Sequence, residues 1–174
     1  RFFQNQEQGF YVDVGCYHPI KSSLTYNLYK KNWKGLNIDL SAVSIDLFKF
    51  SRPNDFNIQA AITDFDGKTF YYENSPINQQ NSLIRQNNNQ KEIEIEAYRL
   101  DDLISLKNFQ NPDYLNIDTE GSEMDVLEGI DFKKTYPKLI TIEENDFLKI
   151  SKPDNEKIVF LKEKNYALIN IIGV

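Results

Sequence analysis

Four short apolar runs, each closing on a carboxylate, organise the chain: Phe10-Tyr11-Val12-Asp13, Gly35-Leu36-Asn37-Ile38-Asp39, Asp113-Tyr114-Leu115-Asn116-Ile117-Asp118 and Leu139-Ile140-Thr141-Ile142-Glu143. Runs of this length, rich in Ile, Val, Leu and Tyr, predict strands buried in a parallel sheet. Helical spacing appears between and after them. With Ser22 or Ser23 as N-cap, the stretch to Lys34 puts Leu24, Leu28 and Tyr29 on one side and stops at Gly35. Val43, Leu47 and Phe50 recur at helical intervals before Arg52-Pro53 ends that helix. A third helix is expected from Ser122 to Gly129 with Met124 and Leu127 inward, and a fourth after Pro153 with Ile158 and Leu161 inward. Tyr166 to Ile171 is a last strand candidate. This alternation predicts an α/β fold, a mainly parallel sheet with right-handed crossovers and helices on both faces.

The middle of the chain breaks the rhythm. Lys68 to Tyr72, after the turn Asp64-Phe65-Asp66-Gly67, and Ile93 to Glu96 alternate as half-exposed strands do, and are expected at the sheet edge. Between them Asn74 to Lys91 is dense in Asn and Gln and poor in large apolar residues, which predicts a mobile loop. Its two readings are a solvated connector and a substrate lid.

Composition narrows the class. With 174 residues, 40% hydrophobic and 26% charged, the chain reads as one domain spanning 1–174, large enough for its own core. The lone Cys16 rules out an internal disulfide framework and points to a reducing cytoplasm. No stretch nears the roughly 18 apolar residues of a membrane span. Arg1-Phe2-Phe3-Gln4 has neither a start methionine nor a signal-peptide layout, so the numbering is expected to begin inside a longer product. A net charge of −6 argues against a nucleic-acid partner, because that affinity comes from clustered Lys and Arg.

In an open α/β sheet ligands bind beyond the carboxyl ends of the strands, so Asp13, Asp39, Asp118 and Glu143 should share one crevice. Asp13-Val14-Gly15-Cys16-Tyr17-His18-Pro19 has a strand-then-glycine turn that lets backbone approach a ligand. It is not a dinucleotide fingerprint, since Tyr17 and Ile20 stand where further glycines would seat a pyrophosphate. No phosphate-cradling G-x-x-x-x-G-K-[ST] run exists either. Asp39 follows Asp13 by 26 positions, near the roughly 20-residue interval at which a second-strand acid meets ribose hydroxyls. A ligand with a ribose and no pyrophosphate fits, and S-adenosylmethionine is one.

At these residues the sequence resembles the FkbM family of S-adenosylmethionine-dependent methyltransferases, from about Gly9 to Glu143. Phe10 to Pro19 resembles the family's first motif in its His-Pro subgroup, followed here by Ser23-Leu24-Thr25-Tyr26. Trp33 to Asp39 resembles the second strand with its ribose-binding acid, and Arg52-Pro53 through Ala60-Ala61-Ile62 the segment leading into the third. Tyr98-Arg99-Leu100-Asp101-Asp102-Leu103, then Ile117-Asp118-Thr119-Glu120-Gly121-Ser122-Glu123 and Leu127-Glu128-Gly129, is similar to the family's I-D-x-E-G-x-E signature closing on Leu-x-Gly. Two departures stand out: Asn116 replaces a common Lys, and the chain ends before the seventh strand typical of the Rossmann-like class I methyltransferase fold.

The resemblance implies methyl transfer to an oxygen nucleophile, the hydroxyl of a sugar, glycan or other small-molecule acceptor. It implies cofactor contacts from Asp13, Gly15, Cys16, Tyr17, Thr25, Asp39, Leu40 and Ala61, and catalytic roles among His18, Asp118, Glu120 and Glu143. His18, the only histidine, has a loop-structural reading beside its reading as general base. Asp118 to Glu123 has one as well, with Ser122 capping the next helix and the acids near its positive end. The clustered acids also suit a divalent ion, although the calcium-loop pattern is missing, so metal dependence is unknown at this level. Cys16 reads as a small turn residue, Trp33 and the tyrosines as core. The competing class is a non-catalytic Rossmann-like binding module that keeps the fold and the cofactor site. Two Tyr-x-x-x-Lys spacings, Tyr17/Lys21 and Tyr26/Lys30, lie too early in the chain for a short-chain dehydrogenase. Oligomeric state cannot be read from the string.

Overall fold

The four predicted strands form, with a fifth, one all-parallel sheet. In the computed structural model, which describes residues 2–76, 78, 80–107, 109, 111–144, 152 and 154–171, they are β1 (Phe10–Val14), β2 (Lys34–Asp39), β3 (Phe56–Gln59), β7 (Tyr114–Ile117) and β8 (Leu139–Ile142). Their order is β3-β2-β1-β7-β8, so the chain steps outward on one side of β1 and then returns to continue on the other. The reversal opens a crevice at the carboxyl ends of β1 and β7. The fold is the Rossmann-like α/β arrangement expected, and β1 is buried at every position.

One polar row interrupts this apolar sheet. Asn57, Asn37, Asp13, Asn116 and Thr141 are cross-strand partners in consecutive strands, so they lie side by side on one face. Asn37 donates to Asn57 at 2.8 Å, Asn116 to Asp13 at 2.9 Å and Thr141 to Asn116 at 2.5 Å. Buried polar groups persist where such partners replace water. Beside the row, Tyr11, Trp33 and Tyr114 form an aromatic core, as read from the sequence, whereas Tyr136, also read as core, is exposed and Tyr26 and Tyr29 are half-buried.

The first predicted helix is reduced to one turn, α1 (Tyr26–Tyr29), rather than running from Ser22 to Lys34. Ser22 adopts a left-handed φ of 55°, and the Ser23 and Thr25 hydroxyls bond to Arg52 instead of capping a helix. Leu24 is consequently exposed, not inward. The second helix, α2 (Ala42–Ser51), ends before Pro53 as expected but buries Ser44, Ile45 and Phe48 while Val43 and Phe50 face solvent. Ser41 sets that rotation: its amide donates to Asp39 at 2.8 Å and its hydroxyl accepts from the Ser44 amide at 3.1 Å.

The two alternating strands of the middle region belong to a second sheet, not to the edge of the first. There β4 (Ala61–Ile62) runs parallel to β6 (Lys91–Tyr98), which pairs antiparallel with β5 (Gly67–Glu73). Ala61, Tyr71, Ile95 and Ala97 form its buried cluster, with Leu40 and Leu83 packed against it. The segment expected to be a mobile loop, 74 to 91, has Ser82 bridged to Tyr72 and buried, beside buried Asn81 and Gln90. Two short helices complete this part, α3 (Leu100–Leu106) and α4 (Glu123–Glu128). Leu127 is buried as expected and Met124 half-buried.

Contacts divide the chain into Arg1–Glu143 and Glu144–Val174. The second unit contains α5 (Glu156–Glu163), capped by Asn155, whose side chain accepts from the Ile158 amide at 3.1 Å and donates to Glu144 at 2.7 Å. Ile158 and Leu161 are half-buried, and Pro153 lies outside the described residues. The last strand candidate is not a strand: 166–171 join no ladder, and Leu168, Ile169 and Ile171 are exposed. No helix among the described residues is long and apolar enough to cross a membrane.

Candidate active site

The crevice above β1 and β7 is lined by the glycine turn, the end of β2, the turn after β7 and part of the Asn-rich segment. Gly15 shapes it. Its φ is +76°, and a Cβ there would lie 1.6 Å from the Asp118 carbonyl oxygen, so only glycine allows the two turns to meet. The amides of Gly15 and Cys16 both donate to the Ile38 carbonyl, at 2.9 and 3.1 Å. Tyr17, at φ 49°, then turns its amide onto Asp39 at 2.7 Å.

Asp39 therefore accepts one backbone N–H on each oxygen, from Tyr17 and Ser41. Burial raises its carboxyl to about 6, partly offset by these two bonds, with the nearby Asp13 charge adding to the rise. A carboxylate has further lone pairs for ligand hydroxyls. Asp13 is different: it is buried, both oxygens are occupied, by Thr25 at 2.6 Å and Asn116 at 2.9 Å, and burial pushes its carboxyl upward. It holds the floor of the crevice in place.

Of the residues implied as cofactor contacts, Asp13, Gly15, Cys16, Tyr17, Asp39 and Leu40 line the crevice together. Thr25 and Ala61 do not. Thr25 is fully buried behind Asp13, and Ala61 points into the second sheet while its neighbours Ala60 and Ile62 face the crevice. Cys16 packs with Ile45 and Phe48, and burial raises its thiol well above the ordinary range, as suits a small buried turn residue.

Among the implied catalytic residues, Asp118, Glu120 and Glu143 converge, with carboxylate oxygens within 4.8 Å of one another. The Asp118 carboxyl is raised by partial burial, then by the Glu143 charge and its hydrogen bond, then by Glu120. The Glu120 carboxyl is raised by burial and by Glu143 and Glu123. Such a group can take up a proton, and three carboxylates at this spacing are chemically suited to a divalent cation. His18 stays apart from them: its Nδ1 accepts the amides of Ile20 at 3.1 Å and Lys21 at 3.0 Å, closing the loop after the turn. Burial and the Lys21 and Arg52 charges lower its pKa, and Nδ1 is occupied as the acceptor of these two amides.

The signature's last acid is structural. Glu123 is buried, and its Oε1 accepts from Thr119 N at 3.1 Å, Thr119 Oγ1 at 3.1 Å and Gly121 N at 2.9 Å. It folds the 118–121 turn back on itself, with Glu120 at φ 56° and Gly121 at 113°. Ser122 precedes α4 without the side-chain cap bond expected of it. Gly129, which closes the signature, lies where a Cβ would approach the Thr63 carbonyl to 2.3 Å.

Sequence reading missed Ser22, Ser23, Asn78, Asn81, Leu83, Thr119 and the buried Arg52. Leu83 carried a signal as an apolar residue in a polar stretch, and it packs on the cluster that also holds Leu40, while Ser23, Arg52 and Thr119 stood inside the family motifs without being read as site residues.

The Methyltransferase FkbM domain family matches residues 13–168. A search of curated proteins finds no match. The crystal structure of Methyltransferase FkbM from Methylobacillus flagellatus KT at 2.20 Å resolution is similar at 15% identity and a TM-score of 0.45, over 71% of this chain and 29% of that one. The chain thus spans less than a third of that structure's length. The family match runs across the glycine turn, the β2 acid and the I-D-x-E-G-x-E turn alike, and the chain belongs to the FkbM methyltransferase domain family.

Proposed function

We propose that the chain is an S-adenosylmethionine-dependent methyltransferase acting on a hydroxyl oxygen, with a sugar, glycan or other small hydroxylated molecule as acceptor. One observation carries the reading: the Tyr17 amide bound to Asp39 at 2.7 Å draws the glycine turn and the β2 acid to one side of a crevice whose other side bears Asp118, with Glu120 and Glu143 clustered next to that acid. That donor set fits the cofactor, since Asp39 has lone pairs for two ribose hydroxyls and the acidic wall suits a positively charged ligand.

When bound, S-adenosylmethionine supplies a methyl group activated by a positively charged sulfur. The chain's own task is then to align the acceptor and receive its proton. Asp39 anchors the ribose, and Leu40, Ala60, Ile62 and Leu83 offer an apolar side of the crevice for a planar base. In its ionised form Asp118 takes the acceptor hydroxyl's proton, with Glu143 and Glu120 beside it. His18 orders the loop. The single buried cysteine suits a reducing compartment such as the cytoplasm.

Calorimetric titration with S-adenosylmethionine and S-adenosylhomocysteine, with NAD as control and EDTA-treated and magnesium-supplemented samples compared, tests the reading. Saturable binding of both sulfur nucleosides without NAD supports it. Binding without turnover on any hydroxylated acceptor would favour the non-catalytic module, and binding of neither would overturn the assignment.

A further inference from the structure

We propose that Arg52 is a positioning residue that clasps the 16–25 loop and so holds the cofactor-side wall of the crevice. The inference rests on the methyltransferase reading for its kinetic consequence, but not for its structural one. Arg52 is fully buried at the end of α2, and its guanidinium is spent almost entirely on that loop. Nε donates to the Pro19 carbonyl at 2.9 Å, a bond that Nη2 reinforces. Nη2 also donates to Ser23 Oγ at 2.7 Å, and Nη1 to Thr25 Oγ1 at 2.8 Å and Tyr11 Oη at 3.3 Å. The rings of Phe48, Tyr26 and Tyr29 lie 4.8, 5.5 and 5.6 Å from the guanidinium carbon, so the planar group has little freedom to turn.

The clasp matters because the loop has no regular structure of its own. Between β1 and the single turn of α1 the chain has two non-glycine residues at positive φ, Tyr17 and Ser22, besides Gly15, and no helical ladder. Yet Tyr17, Lys21, Ser22, Ser23 and Leu24 all face the crevice. Arg52 binds the loop at three points, and through Thr25 it reaches Asp13 and the polar row of the sheet. A lysine keeps the charge but cannot reproduce a planar fork with donors on three nitrogens.

The test is Arg52→Lys, read by amide hydrogen exchange of the unliganded protein and by steady-state kinetics. The amides of Cys16, Tyr17, Ile20 and Lys21 are hydrogen-bonded, so their exchange reports on the loop. The proposal expects their exchange to rise about tenfold or more while β1 and β2 amides are unchanged, with KM for S-adenosylmethionine up about tenfold and kcat within about twofold. Unchanged exchange in 16–25, or a uniform rise across the chain, would overturn the clasp. If Arg52→Lys does not fold, Ser23→Ala removes one of the three loop contacts and is read by the same exchange pattern. A wild-type protein that binds neither sulfur nucleoside would refute the methyltransferase reading, and the exchange comparison would still decide the role of Arg52.

Discussion

The backbone amide of Tyr17 donates to the carboxylate of Asp39 at 2.7 Å, joining the turn after β1 to the end of β2. One side chain thus braces the crevice and presents lone pairs to a ligand. Asp39→Asn removes the charge and replaces one of the two acceptors of backbone N–H by a donor, and is expected to weaken S-adenosylmethionine binding by about 2 kcal/mol or more, at least roughly thirtyfold. Calorimetry on the variant checks this, and unchanged affinity would remove Asp39 from the cofactor site.

The same carboxylate makes a pH prediction with two opposite signs. Its folded-state value, about 6, lies above its ordinary 3.8, so the folded protein binds the extra proton more readily than the unfolded chain between those values. Its contribution to stability therefore rises as pH falls from about 6 toward 4, while cofactor affinity falls as the carboxylate is lost. Asp39→Asn should abolish both dependences, as measured by denaturation and titration at stepped pH.

Glu120 and Glu123, three residues apart in the signature, should separate cleanly. Glu123→Ala leaves the part-buried amides of Thr119 and Gly121 without their acceptor and empties a buried side-chain site, and is expected to cost about 1–3 kcal/mol of stability. Glu120→Gln should leave the melting temperature nearly unchanged and lower turnover more than cofactor affinity. Equal turnover in Glu120→Gln would make that acid structural too.

The paired acids predict how activity responds to pH. Asp118 must lose its proton to act as a base, and Glu143 is the leading charged neighbour that resists the loss. Glu143→Gln should therefore shift the acidic limb of the kcat profile toward lower pH. A limb that does not move would place the base elsewhere.

Gly15→Ala combines a positive φ with a Cβ driven against the Asp118 carbonyl oxygen. The two penalties together are expected to exceed about 2 kcal/mol, lowering the urea midpoint and displacing the turn. Gly67→Ala is the control: its φ is also positive, 144°, but nothing lies within 4 Å of its Cβ position, so a smaller loss is expected there.

Apolar runs closing on acids determined the four parallel strands β1, β2, β7 and β8, since such runs suit a parallel sheet whether buried throughout, as β1 and β7 are, or half-buried at the edge, as β8 is. The glycine turn, Asp39 and the Asp118–Glu123 signature were legible for a related reason: each imposes its chemistry locally, through a φ, a charge or a fixed spacing. Tertiary structure decided the rest. The helix expected after Ser22 collapsed to one turn because Arg52, far along the chain, claims the hydroxyls that would have capped it. The face of α2 followed from Ser41 being held by Asp39, which periodicity cannot register. The alternating strands of the middle region formed a sheet of their own, since alternation specifies a half-exposed face without naming the partner. Tyr166 to Ile171 had the composition of a strand and no neighbouring strand to pair with among the described residues. His18, a candidate for chemistry on paper, fastens its loop by accepting two backbone amides on Nδ1, and Glu123 fastens the 118–121 turn through Oε1 in the same way. Local propensity selects elements, whereas the rotation, pairing and availability of a side chain depend on partners distant in sequence.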